Sequence, residues 1–63
     1  MPFITVKALE GRTVEEKRAV AEKLIQVFKE EWNLTEDRIF VFFEDMKKHD
    51  FAKQGKLFID QEG

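Results

Sequence analysis

Cysteine is absent from these 63 residues, which excludes disulfide staples and thiolate metal sites. The single histidine, His49, argues against a histidine-based metal set. Charge of one sign is not in excess: 11 basic and 13 acidic side chains are interspersed, for a net charge of −2. That balance offers no basic footprint for nucleic acid. No apolar run approaches the ~20 residues of a membrane helix, so no membrane partner is expected. The first residues lack the basic segment and apolar core of a signal peptide, and the expected location is cytoplasmic. Proline occurs once, at Pro2.

Apolar residues, by contrast, are plentiful: they form 43% of the chain, and seven are phenylalanine. A domain of this size buries only about 60% of the surface its unfolded chain exposes. Small scaffolds without disulfides or metals commonly gain stability by self-association. Oligomerisation is therefore the expected use of this apolar surface.

Phe3 to Leu9 alternates as a strand, with Ile4, Val6 and Ala8 on an apolar face and Phe3, Thr5, Lys7 and Leu9 on a mixed one. Glu10-Gly11-Arg12 reads as a turn. Thr13-Val14-Glu15-Glu16 has the capping-box pattern, and its two glutamates suit the positive end of a helix dipole. A helix is expected from Val14 to Trp32, with Val20, Ala21, Leu24, Ile25, Val27, Phe28 and Trp32 as its apolar, core-forming face. Lys17 is assigned to the solvated remainder. Asn33 suits a left-handed stop.

Arg38 to Glu44 is the expected second strand. Ile39, Val41 and Phe43 would face the helix, with Arg38, Phe40, Phe42 and Glu44 on the other side. A strand apolar on both faces is usually covered on both, and one helix covers only one. The Phe40/Phe42 side is thus expected to meet another subunit. The helical crossover makes the two strands parallel. Beyond Met46 follow a polar loop containing His49, an isolated Phe51, a possible tight turn at Gly55 and a short strand from Lys56 to Asp60. This tail is expected to pair with a neighbour. The whole is an α+β chain, one domain over 1–63. It comprises a β-α-β unit of two parallel strands and one crossover helix, plus a short C-terminal strand or hairpin, assembled into an oligomer.

Proline suits the first residue of a strand, where a missing N–H costs nothing. The chain around it carries more. Pro2, Leu9-Glu10-Gly11-Arg12-Thr13, Glu16-Lys17-Arg18 and Glu44-Asp45-Met46 resemble the 4-oxalocrotonate tautomerase family of the tautomerase superfamily over nearly the full length. The resemblance implies removal of Met1, so that the amine of Pro2 serves as general base in enol–keto conversion of a 2-hydroxydienoate or a small α-keto acid. It implies Arg12 as the clamp for a small-molecule carboxylate substrate, Phe51 as an apolar wall, no cofactor, and a homohexamer (a trimer of dimers) whose sites draw on several subunits. Aligned on Glu44-Asp45-Met46, the family's second arginine corresponds to Phe40, a candidate pocket wall. Arg38 stands two residues earlier as a candidate substitute. The glycine-rich stretch after the aromatic reads Ala52-Lys53-Gln54-Gly55.

The implied chemistry is physically coherent. A catalytic base works best with a pKa near the operating pH. A secondary amine is more basic than an ordinary α-amino group, and an apolar wall and a neighbouring guanidinium both push it down. Arginine's planar fork matches a carboxylate bidentately. Two alternatives stay open: hydration-dehalogenation or decarboxylation at the same proline, and a non-enzymatic oligomeric scaffold of the same fold.

Overall fold

The structure, a computed structural model, describes residues 1–61. Strand β1 (Phe3–Leu9) leads into helix α1 (Val14–Trp32), and β2 (Phe40–Met46) returns beside β1. The two strands are parallel, in register from Phe3 opposite Phe40 to Leu9 opposite Met46. A tail follows in which β3 (Ala52–Lys53) and β4 (Lys56–Leu57) form a small antiparallel hairpin. This is the expected β-α-β unit with a C-terminal hairpin.

Local chemistry sets the ends of α1. The Thr13 hydroxyl accepts from the Glu16 N–H at 3.1 Å, and the Glu16 carboxylate accepts from the Thr13 N–H at 3.0 Å. The capping box is therefore complete. Asn33 closes the helix at φ 53, a left-handed conformation that asparagine tolerates.

The start of β2 differs from the expectation. Arg38 lies not on the strand but in a turn of 3₁₀ helix, Glu36–Arg38. Its N–H is taken by the Thr35 carbonyl at 3.1 Å, and that of Ile39 by the Glu36 carbonyl at 3.2 Å. The ladder begins only where the Phe40 N–H meets the Pro2 carbonyl, at 3.1 Å. Pro2 has no N–H to offer in return, so the pairing has its natural limit there. At the other end β2 runs two residues past Glu44, to Met46. The expected strand from Lys56 to Asp60 is also shorter: Phe58–Asp60 coils into a 3₁₀ turn. Gln54 and Gly55 between β3 and β4 both have positive φ, as a two-residue hairpin loop matched to strand twist requires.

One side of the two-stranded sheet carries Ile4, Val6, Val41 and Phe43 toward α1. Ile39, just before β2, is the one buried hydrophobic residue among those described. The apolar helix face is only partly covered. Ala21, Leu24, Ile25 and Phe28 are half-buried, whereas Val20, Val27 and Trp32 stay exposed. Trp32, expected in the core, is 61% exposed and stacks edge-on against Phe28. Two strands are too narrow to cover a stripe of that width.

The chain is also extended, 44 × 23 × 14 Å, with a radius of gyration of 15.1 Å. A self-contained domain of this length has a radius of about 11 Å. Its accessible surface is 5240 Å², about 1,000 Å² more than a compact monomer of this mass exposes.

Candidate functional site

Strand β1 separates the two residues most central to the expected chemistry. Pro2 immediately precedes it, and Arg12 follows its C-terminal end after the turn at Gly11. At ~3.3 Å per residue the two backbones stand roughly 25 Å apart. One protomer therefore does not bring Pro2 and Arg12 together.

At the Pro2 end, Phe40 is hydrogen-bonded through its backbone to Pro2. Phe3 stacks on Phe40 with ring centroids 5.1 Å apart and on Phe42 at 6.3 Å. These three rings lie on the sheet face away from the helix. They are 63%, 38% and 51% exposed respectively. Arg38 is nearby in chain order but off the strand, and its side chain makes no ion pair among the described residues. Met1 acylates the Pro2 nitrogen in the structure described, which makes that nitrogen an amide.

At the opposite end, Arg12 Nη1 donates to Glu16 Oε2 at 3.0 Å. The Glu16 carboxyl is held below its usual range, first by the Thr13 backbone N–H and then by Arg12. Its folded value lies below the unfolded one. Its contribution to stability is thus present above the unfolded value and fades as pH falls through the folded one. Next to it, Lys17 Nζ bridges to Asp45 Oδ2 at 2.9 Å, tying the first turn of α1 to the end of β2. Arg12, Glu16, Lys17 and Asp45 rim an open groove of about 340 Å³ with Val6, Val20 and Phe43 among its apolar lining. Phe51 follows β2 at this same end of the chain path. It stacks on Phe58 at 4.9 Å, and its carbonyl accepts from the Phe58 N–H.

The candidate residues thus fall into two clusters. Pro2, Phe40 and Arg38 lie toward one end of the strand pair, and Arg12 and Phe51 follow its other end. The Arg12–Glu16 pair has little sequence signal, because Arg12 stands before the Thr13 cap and Glu16 is already engaged by that cap. Lys17, read as solvated, has Asp45 as its partner across the fold, and no local pattern signals that. Among the described residues no cluster of side chains could hold a metal ion. No helix among them is long and apolar enough to cross a membrane.

Comparison with known proteins gives a consistent result. A family model described as tautomerase enzyme matches residues 2–61. The 2-hydroxymuconate tautomerase of Bacillus subtilis (strain 168) is 47% identical over 62 residues, which cover 98% of this chain and all of that one. A probable tautomerase of Bacillus cereus is 46% identical over 61 residues, covering 97% of this chain and all of that relative. Among solved structures, a homologue of 4-oxalocrotonate tautomerase superposes with a TM-score of 0.89 at 46% identity, covering 97% of this chain and all of that one. A chain studied for trans-3-chloroacrylic acid dehalogenase activity superposes at 0.78 with 28% identity, covering 89% of this chain and 97% of its own length.

Proposed function

This chain belongs to the tautomerase family, and from that premise we propose that it catalyses enol–keto proton transfer on a 2-hydroxydienoate or small α-keto acid, with the amine of Pro2 as general base. The observation that carries this is the placement of Pro2: the family match begins at residue 2, at the head of β1. Loss of Met1 would turn the Pro2 amide into a free secondary amine. That nitrogen takes the enol hydroxyl proton as the carbonyl forms, and a proton returns to a carbon of the conjugated chain. Atoms and electrons balance without a cofactor. Phe3, Phe40 and Phe42 disfavour the charged amine and keep its pKa near the working range. Arg12 clamps the substrate carboxylate and Phe51 walls the pocket; Arg38, off the strand in its 3₁₀ turn, is the weaker candidate to replace the guanidinium missing at Phe40.

The same reading requires self-association, since Pro2 and Arg12 are roughly 25 Å apart within one chain. We place them in one site by bringing the Pro2 end of one copy against the Arg12 end of another, within a homohexamer arranged as a trimer of dimers. The excess surface, the exposed phenylalanines and the sparse core support this. A cytoplasmic location belongs to the same reading.

Mass spectrometry of natively expressed protein tests the premise of the mechanism: the expected mass lacks Met1, and that protein ketonises 2-hydroxymuconate in a direct ultraviolet assay. Full activity with Met1 retained contradicts the proline mechanism. A second reading, hydration-dehalogenation at the same proline, is favoured by the likeness to the chain studied for dehalogenase activity. Halide release from 3-chloroacrylate at a rate above that of ketonisation would select it.

A further inference from the structure

We infer that Glu16 is a charge filter for the site, lowering its affinity for substrates in proportion to their negative charge. The inference rests on the reading of Arg12 as a carboxylate clamp. Glu16 is held in place from two sides. One oxygen, Oε1, accepts from the Thr13 N–H at 3.0 Å and from the Thr13 hydroxyl at 3.3 Å. The other, Oε2, accepts from Arg12 at 3.0 Å. The helix cap thus fixes a carboxylate directly against the guanidinium.

A guanidinium has five N–H donors in a planar fork, and the Glu16 contact uses Nη1. The remaining donors can still grip an incoming carboxylate. The positive charge, however, is already balanced. Lys17, the next cation in the groove, is balanced in turn by Asp45 at 2.9 Å. Two cations and two anions leave this end of the groove with no net charge. A substrate carboxylate therefore gains hydrogen bonds to Arg12 but also meets the field of Glu16, and a second carboxylate meets that field again. The pair is solvent-exposed, with side chains 71% and 48% accessible, so the effect is moderate and screened by salt.

Glu16→Gln tests this, because glutamine also serves at the third helical position of a capping box and the helix start is retained. The probes are succinate, its monoethyl ester and its diethyl ester, saturated compounds that cannot alkylate an amine, used as competitive inhibitors of ketonisation. Removing one charge in a water-like dielectric predicts inhibition constants lowered about three-fold for the monoanion and about five-fold for the dianion, whose second carboxylate lies farther from Glu16, with no change for the neutral diester. The gain should shrink as ionic strength rises. Glu15→Gln removes the same charge from a residue paired with Arg18 instead and should leave the series flat. A flat or weakened series for Glu16→Gln overturns the inference. Arg12→Ala distinguishes the two levels: if it leaves succinate inhibition unchanged, the clamp reading itself fails. If it weakens succinate while Glu16→Gln changes nothing, only the charge filter fails.

Discussion

Pro2→Ala lowers kcat for enol ketonisation by about 10²- to 10⁴-fold, the range that a positioned acid–base group contributes, while KM changes little. The pyrrolidine nitrogen belongs to a ring whose orientation is fixed by the strand it starts, through the Phe40 N–H to Pro2 carbonyl bond of 3.1 Å. Alanine keeps that carbonyl and the ladder. It replaces a held secondary amine with a primary amine free to rotate. Carboxylate binding rests on the Arg12 that another copy brings to the site, and is untouched. The measurement is steady-state kinetics on protein whose amino terminus has been verified by mass. A rise in KM with kcat intact would make Pro2 a strand-start residue and no more.

Phe42→Lys should break the assembly and abolish activity with it. Phe42 stacks on Phe3 on the sheet face away from α1 and is 51% exposed in the single chain. Full burial of such a side chain contributes about 1.5–3 kcal/mol, repeated for every copy in a symmetric oligomer. Lysine forfeits that gain and places an unpaired charge at a desolvated contact, which costs still more. Because the core of one chain is sparse, with Ile39 its one buried hydrophobic residue among those described, loss of the assembly also weakens the β-α-β unit. Sedimentation should show a species of one or two chains, with reduced helical circular dichroism and no ketonisation. A compact monomer for the unaltered protein would contradict the proposed assembly outright.

Much of the fold was legible residue by residue. The capping box of Thr13 and Glu16 and the stop at Asn33 are local chemistry, and the helix bounds follow from them. The alternation of Ile39, Val41 and Phe43 placed one face of β2 toward α1, and the same parity carries on to Asp45, where Lys17 meets it. The two-residue shift of β2 was less accessible. It depends on where Pro2 ends the hydrogen-bond ladder and on a 3₁₀ turn stabilised by Thr35 and Glu36. Trp32 was misplaced because helical periodicity marks which side is apolar, not how much of that side a two-stranded sheet can cover. The separation of Pro2 from Arg12 was implicit in the strand length between them. What the sequence concealed was the bond from Glu16 to Arg12, since a capping glutamate looks fully employed by its cap.

Mixing two defective variants tests the central claim most directly: a base from one copy and a carboxylate clamp from another forming one site. Pro2→Ala and Arg12→Ala are each refolded alone and then refolded together at equal concentration. If the site draws Pro2 and Arg12 from different copies, random assembly leaves about a quarter of sites with both residues intact, and the mixture recovers about that fraction of full activity. Activity no greater than the sum of the two variants alone would contradict a site shared between copies.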